Sequence, residues 1–226
     1  MAEPILVARG ASKAYADLVA LEPLDLSVPS GQLVALIGHN GSGKSTFLRL
    51  AAGLLDLTDG TIEIGGAPAG TSEARALVSF LPDDPVLYDD LSVREHLAYV
   101  AALHGVDLAG EDLDGLVERV GLTDRGDDLP SRFSRGLRQR TSIALGLARP
   151  FELLLIDEPF VGLDLGGKEA LLSVFDELHA DGATIVVATH DPSFVERVDR
   201  CVALRDGAVV HDGKAEVSEV ARLVSS

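Results

Sequence analysis

The segment with the clearest capacity for chemistry is a glycine-rich loop that follows a short apolar strand. Its residues are Gly38, His39, Asn40, Gly41, Ser42, Gly43, Lys44, Ser45 and Thr46. The order is G-x-x-x-x-G-K-S, and the glycines let successive backbone N–H groups point at phosphate oxygens. A following helix adds the positive end of its dipole. The loop therefore predicts nucleotide binding, with Lys44 bridging the terminal phosphates and Ser45 coordinating Mg²⁺. The simpler alternative is a glycine-rich strand-to-helix turn.

Two acidic residues follow another apolar run and could complete such a site. Asp157 and Glu158 come directly after residues 153–156. An aspartate at the end of a buried strand is suited to hold Mg²⁺ and its waters, and a neighbouring glutamate can polarise a water for attack on the γ-phosphate. Alone, the pair could equally belong to a helix N-terminus. Together with Lys44, it predicts a nucleoside triphosphatase.

The elements that position these residues are indicated by short β-forming runs. The predicted strands are residues 5–8, 24–28, 33–37, 61–64, 77–81, 153–156, 184–188 and 201–204. Residues 33–37, 153–156 and 184–188 are apolar throughout, which is typical of central parallel strands covered on both faces. Residues 61–64 alternate instead, which favours a half-exposed antiparallel strand. The pattern predicts a mixed α/β fold.

Helical periodicity replaces the strand pattern between residues 92 and 149. Residues 92–95 have the order of a capping box, and Gly121 suits a helix C-terminus. Four apolar residues share helical spacing: Leu113, Leu116, Val117 and Val120. We therefore expect a helical lobe inserted between two strands, at about residues 83–150, within a single domain over residues 1–226.

Composition and charge narrow the class further. The 226 residues are 46% hydrophobic, which excludes a disordered chain. The 36 acidic and 19 basic side chains give a net charge of −17, which disfavours nucleic acid as a partner. The lone Cys201 forms no internal disulfide and indicates a reducing compartment. No stretch approaches the roughly 18 apolar residues needed to cross a bilayer. Residues 1–10 lack the pattern of an export signal. Any membrane role is expected to come through a partner.

Further segments make the sequence resemble, over essentially its whole length, the ATP-binding subunit of an ATP-binding-cassette (ABC) transporter. Tyr15, 23 residues before Gly38, matches the aromatic residue that stacks on adenine in this family. An ordinary strand-end tyrosine is the alternative. The resemblance implies a P-loop NTPase (RecA-like) α/β core, an N-terminal antiparallel β subdomain and the inserted helical subdomain.

Residues 133–140, FSRGLRQR, are similar to the family signature L-S-G-G-Q. Ser134 and Gly136 match it, whereas Arg135 replaces a glycine and Leu137 replaces the glutamine. The resemblance implies that this helix start contacts the γ-phosphate held by the opposite subunit. A plain helix cap at Ser134 is the alternative.

Two more segments follow in the family's order. Residues 162–164, Gly-Leu-Asp, match a loop that communicates across the ATPase dimer. His190 follows the apolar run 184–188, where the family keeps a histidine that contacts the γ-phosphate. A histidine at a strand end is more often structural, but its place after a central strand favours the catalytic interpretation.

Residues 81–85, Leu-Pro-Asp-Asp-Pro, depart from the family pattern. Asp83 stands where related proteins place a glutamine that contacts Mg²⁺ and the attacking water. An aspartate is a hard oxygen ligand, but it adds charge and donates no hydrogen bond when ionised. Asp83 is thus either a third magnesium ligand beside Ser45 and Asp157 or a solvated turn acid.

The negative charge is not uniform along the chain. Residues 130–151 hold five arginines and no acid, a local charge of +5. This stretch includes the signature segment, so it could face the triphosphate of another subunit. An arginine-rich solvated helix face is the alternative.

The resemblance implies a cytoplasmic ATPase that uses ATP and Mg²⁺ and forms a homodimer or pairs with a second ATPase subunit. It would lie on the inner face of the cell membrane through a permease and power transport; the signature variant is similar to those of multidrug-type (ABC-2) exporters. One alternative is a soluble ABC-type ATPase acting on ribosomes or DNA, although no second cassette or heptad insertion is found. Another is a P-loop kinase or GTPase, although no N-K-x-D segment is found.

Overall fold

The computed structural model describes residues 3–108 and 110–224, so Met1 and Ala2 of the predicted domain, Ala109 and the last two residues lie outside the description. Two units are distinguished. The first contains Met1–Phe80, Phe151–Glu158 and Asp181–Ser226, and the second contains Leu81–Pro150 and Pro159–Ala180. The second unit thus takes in a segment beyond residues 83–150, and the single functional domain over 1–226 stays a prediction.

Strands and helices are numbered in chain order along the described residues. The strands are β1 Pro4–Tyr15, β2 Leu18–Pro29, β3 Leu33–Ile37, β4 Asp59–Ile64, β5 Ala67–Pro68, β6 Val78–Leu81, β7 Leu153–Asp157, β8 Thr184–Thr189, β9 Arg200–Arg205 and β10 Ala208–Gly213. The helices are α1 Lys44–Ala51, α2 Ser72–Leu77, α3 Val93–Leu103, α4 Glu111–Arg119, α5 Arg135–Leu147, α6 Leu165–Ala180 and α7 Val217–Val224.

A six-stranded sheet has the order β10-β9-β3-β8-β7-β6. Strand β3 pairs in parallel with β8 and β9, and β8 pairs in parallel with β7. Every residue of β3, β7 and β8 is buried, as the apolar runs predict for central parallel strands. The mixed α/β fold is confirmed.

A second sheet, of order β2-β1-β4-β5, is antiparallel. In β4, Ile62 and Ile64 are buried while Glu63 between them is half-buried, which confirms the alternation predicted for residues 61–64. A continuous apolar core joins this sheet to β3, β7, β8 and helix α1. The core thereby fixes the strand ends from which the candidate site is built.

The structure corrects one predicted strand and adds two, β5 and β10, that the sequence pattern did not indicate. Leu77 belongs to the end of α2, and the strand starts at Val78, because Thr71 caps a short helix there through the Ala74 N–H at 3.3 Å. Strand β10 was not predicted. It follows a tight turn in which Asp206 and Gly207 have φ of 50° and 81°, the pattern of an Asp-Gly hairpin.

The helices of the second unit begin and end where local signals place them. Ser92 Oγ accepts the Glu95 N–H at 3.3 Å and the Glu95 carboxylate accepts the Ser92 N–H at 2.7 Å, so the capping box before α3 is confirmed. The bond from the Ser92 N–H is the main reason that the pKa of Glu95 lies below its usual value. In and after α4, Val117 and Val120 are buried. Gly121 follows with φ of 68°.

The lone cysteine lies in the core of the first unit. Cys201 is a free, buried thiol, and burial raises its pKa to about 12. The thiol is therefore inert at neutral pH and acts as a small core residue. Among the described residues, no helix combines the length and apolar content that crossing a bilayer requires.

Candidate nucleotide site

The first unit brings together the loop, the two acids and the histidine because three parallel strands end at one edge of the sheet. Strand β3 runs into the loop at Gly38, β7 ends at Asp157, and β8 ends at Thr189 just before His190. Since β8 pairs with both β3 and β7, these carboxyl ends are neighbours. Ligands of open α/β sheets bind at such an edge.

The phosphate loop is closely packed. A Cβ on Gly38 would lie 2.3 Å from the Ser42 Oγ and 2.5 Å from the Leu204 carbonyl oxygen, so only glycine fits. Gly43, just before α1, has φ of 102°, a conformation that side chains disfavour. The Gly207 N–H donates to the Ser42 carbonyl at 3.1 Å. These contacts hold the backbone of the loop at the start of α1.

Lys44 is buried within this loop, with only 5% of its side chain exposed. Its ammonium donates to the Gly38 carbonyl at 2.7 Å and to the His39 carbonyl at 3.1 Å. It also lies 3.4 Å from the Glu158 Oε1. A buried ammonium needs partners of this kind, and the carboxylate supplies the compensating charge.

Glu158 connects the lysine to the histidine. Its Oε2 lies 2.8 Å from the His190 Nδ1 and accepts the His190 backbone N–H at 3.3 Å. Because a carboxylate only accepts, the proton of that imidazole bond is on Nδ1. Glu158 also has φ of 49°, a strained conformation for a residue with a side chain, held by its N–H bond to the Ala188 carbonyl at 2.8 Å. Such strain is characteristic of functional sites.

Asp157 and Ser45 have the donor chemistry for Mg²⁺. Asp157 is 1% exposed at the end of β7, and Ser45 is the second residue of α1 and partly exposed. Both offer hard oxygen atoms, which Mg²⁺ prefers. Within the described part of the chain, no group of three or more His, Cys, Asp or Glu side chains could hold a metal by itself. The pair thus fits an ion that takes its other ligands from a nucleotide and water.

Tyr15 lies at the end of β1 with 46% of its surface exposed. The Lys13 ammonium sits 4.9 Å from its ring centroid. An exposed ring beside a cation offers a flat surface for a base. The adenine role of Tyr15 stays a prediction, as do the roles of the remaining residues of the loop, including Asn40, Gly41 and Thr46.

The second unit contains the signature segment at the start of α5. Ser134 is the N-cap, and its hydroxyl accepts the Leu137 N–H at 3.4 Å. A Cβ on Gly136 would lie 2.6 Å from the Gly162 carbonyl oxygen, so this glycine permits close contact with the 162–164 loop. The structure therefore places two predicted motifs side by side within one unit.

Asp83 also lies in the second unit, where its carboxylate accepts from the Arg135 guanidinium at 2.7 Å. Another arginine of α5 also has an acidic partner, since Arg140 donates to the Asp164 carboxylate at 2.9 Å. Arg138 instead donates to the Pro85 carbonyl at 3.0 Å. Part of the basic character of residues 130–151 is thus neutralised locally.

Sequence reasoning missed several residues that support the site. The Asp206-Gly207 turn bonds to the phosphate loop, and its Asp-Gly order was a signal that could have revealed it. The His39 Nε2 lies 3.6 Å from the Asp206 Oδ1, a contact that no local sequence pattern predicts. The Arg135 and Arg140 ion pairs likewise join residues far apart in the sequence.

The loop, the buried lysine and the acid-histidine pair at the ends of parallel strands define a P-loop nucleoside triphosphatase. Residues 21–161 match the ABC transporter family, so the chain belongs to that family.

Similar proteins agree with this assignment. The macrolide export ATP-binding/permease protein MacB of Rhodopseudomonas palustris (strain BisB18) is 35% identical over 94% of the chain, which spans 34% of that protein. The SkfA peptide export ATP-binding protein SkfE of Bacillus subtilis (strain 168) is 34% identical over 89% of the chain and 85% of its own length. The dimeric cassette MJ0796 in a post-hydrolysis state with ADP and Pi covers 93% of the chain and 99% of its own, with 25% identity and a TM-score of 0.83.

The chain spans about a third of the length of the MacB proteins that it matches.

Proposed function

We propose that this protein is the motor subunit of an exporter, dimerising around two ATP molecules and driving a partner permease. The observation that carries the catalytic part is the contact chain from Lys44 through Glu158 to His190. It places a buried cation, a carboxylate and an imidazole at the edge of the sheet where the phosphate loop begins. Such groups can neutralise phosphate charge and polarise a water for attack on the γ-phosphate.

Glu158 is the proposed general base. Its Oε1 pairs with Lys44, so it is not available to accept a proton while that ion pair persists. The terminal phosphates of ATP give Lys44 a partner of higher charge, which releases Oε1 to accept a proton from the attacking water. Nucleotide binding thereby frees the base for the attacking water.

His190 positions Glu158. Its Nδ1 contacts the Oε2 of Glu158 at 2.8 Å, which fixes the orientation of the carboxylate. The other ring nitrogen, Nε2, is the proposed contact for a γ-phosphate oxygen. With 55% of its side chain exposed, His190 is within reach of a nucleotide.

Ser45 and Asp157 are the proposed magnesium ligands. Mg²⁺ held by these two residues would neutralise part of the negative charge of the phosphates. The burial of Asp157 keeps its carboxylate at a fixed place at the end of β7.

The assembly is proposed from the relatives. MJ0796 forms a dimer with ADP and Pi, and MacB combines ATP-binding and permease portions. We infer that each ATP contacts Tyr15, the loop 38–46, Asp157, Glu158 and His190 of one copy, and Ser134 and Gly136 of the other. The second copy is the same chain or a paired ATPase. The subunit would then lie at the cytoplasmic face of the cell membrane through its permease.

The decisive experiment removes the base but keeps the shape of the site. Glu158→Gln should bind ATP as tightly as the parent chain and lose turnover by about 10²- to 10⁴-fold. ATP should then trap a dimer that sedimentation detects. Full turnover in this variant would exclude Glu158 as the base.

Two controls complete the test. Glu152→Gln removes an exposed glutamate just before β7 and should leave turnover unchanged. The specific activity of the parent chain should rise with protein concentration, because two copies form each site. A constant specific activity down to concentrations where the chain is monomeric would reject the shared site.

A further inference from the structure

Two of the three positions at which this chain departs from the ABC motifs, Asp83 and Arg135, contact each other. Asp83 stands in the loop after β6, and Arg135 is the first residue of α5. The Arg135 Nη2 lies 2.7 Å from the Asp83 Oδ1. Both residues belong to the second unit, so the contact is internal to it.

Other contacts of the second unit hold residues 81–85 along α5. A Cβ on Gly146 would lie 2.7 Å from the Leu81 side chain, which places Leu81 directly against the end of the helix. Arg138, one turn after Arg135, donates to the Pro85 carbonyl at 3.0 Å. The Asp83 ion pair completes this series at the start of α5. Loop and helix therefore form one body.

The location of Arg135 makes a counter-ion necessary. A cation in the first turn of a helix is disfavoured by the helix dipole, and the first turn of α5 contains no acidic residue. The stem of Arg135 also packs against the 162–164 loop, since a Cβ on Gly162 would lie 3.2 Å from three of its carbon atoms. The packing directs the guanidinium, and Asp83 compensates its charge.

We propose that Asp83 and Arg135 are a coupled pair of positioning residues, in which Asp83 holds Arg135 rather than Mg²⁺. The pair fixes the start of α5, and with it Ser134 and Gly136, relative to residues 81–85. This inference rests on the proposed function, because it assigns the pair a role in ATP turnover. It also removes Asp83 from the magnesium ligands.

A double-mutant cycle on ATP turnover tests the coupling. Asp83→Asn and Arg135→Gln should each lower kcat about tenfold, and the double variant should lose no more than either single one, because both remove the same interaction. The charge-swapped variant, Asp83→Arg with Arg135→Asp, should recover most of kcat. The proposal would be overturned if the two losses of kcat multiplied in the double variant, or if the charge-swapped variant did not recover kcat.

The magnesium dependence separates a positioning role from ligation. The Mg²⁺ concentration for half-maximal turnover should be equal in Asp83→Asn and the parent chain. A rise of about fivefold or more, without one in Arg135→Gln, would identify Asp83 as a ligand and overturn the proposal. A readout without hydrolysis uses the Glu158→Gln background, where both substitutions should weaken ATP-dependent dimerisation equally. Unequal weakening would also count against the pair.

A matched control is provided by Arg125 and Asp128, an exposed ion pair of the same unit. Their nitrogen and oxygen atoms lie 3.0 Å apart, and their side chains are 55% and 48% exposed, against 54% and 42% for Arg135 and Asp83. Arg125→Gln and Asp128→Asn should leave kcat unchanged. If the parent chain hydrolyses no ATP, the proposed function fails and the pair's role with it. If the parent chain hydrolyses ATP but the losses of the two single variants add in the double variant, the coupled pair is rejected and the proposed function is not.

Discussion

Two ion pairs among the candidate site residues, one in each unit, differ in how far they are buried. In the first unit, the Lys44 and Glu158 side chains are 5% and 11% exposed and share one chain of contacts. In the second unit, Arg135 and Asp83 are 54% and 42% exposed and form a single surface pair. The nitrogen–oxygen distances of the two pairs differ little, at 3.4 Å for Lys44–Glu158 and 2.7 Å for Arg135–Asp83. Burial, rather than distance, distinguishes the two pairs.

This contrast has an energetic consequence. Removing one member of a buried ion pair leaves an uncompensated charge in a low dielectric, whereas an exposed pair is screened by water. The Lys44–Glu158 pair therefore matters for stability as well as for chemistry. The Arg135–Asp83 pair can position the start of α5 at little cost to folding. The following substitutions test that difference.

The largest effect is expected at Lys44. Lys44→Met should lower the affinity for ATP about 100-fold, because charge-assisted bonds to the phosphates are lost. It should also destabilise the chain by about 3 kcal/mol, because Glu158 stays buried without its cation. Calorimetric titration and urea unfolding measure the two effects. Lys214→Met, at an exposed lysine, is the control. Unchanged stability in the Lys44 variant would contradict the stabilising role of this buried pair.

The next effect is expected at His190, whose side chain is more exposed than its partner's. His190→Ala should lower kcat about 100-fold and leave the affinity for ATP within about threefold, because the imidazole orients the base and stabilises charge in the transition state. Steady-state kinetics and titration measure this split. His104→Ala serves as a control at the end of α3. A loss of affinity equal to the loss of kcat would make His190 a binding residue instead.

The same contrast explains which features were predictable. The phosphate loop, the acids after β7 and the histidine after β8 were identified because each follows an apolar run, and parallel pairing then requires those strand ends to meet. Strand β10 was missed because its residues are half-buried and give no clear alternation. The Arg135–Asp83 pair was missed because it joins residues 52 apart in the chain, which no local pattern records. Leu77 was misassigned because an apolar residue beside a strand fits either element.

A smaller effect is expected at Tyr15. Tyr15→Ala should raise the KM for ATP about tenfold, in keeping with the roughly 0.5–1.5 kcal/mol of an aromatic contact, and kcat should change little. Tyr15→Phe should keep the parent KM, since stacking needs only the ring. Steady-state kinetics with ATP measures both variants. An equal rise in KM for both variants would show that the hydroxyl, and not the ring, is used.

The smallest effect is expected at the partly exposed pair of Arg140 and Asp164. The Asp164 carboxylate also accepts the Gly167 N–H at 2.9 Å. Asp164→Asn removes the charge but retains an oxygen for that bond. It should destabilise the chain by less than about 1 kcal/mol, and the effect should fade as salt is raised, because exposed charges are screened. Urea unfolding at low and high salt measures it. The Lys44→Met loss should persist at high salt, since the buried pair is shielded from ions. If the losses of stability in Lys44→Met and Asp164→Asn both faded at high salt, burial would not explain the difference between the two ion pairs.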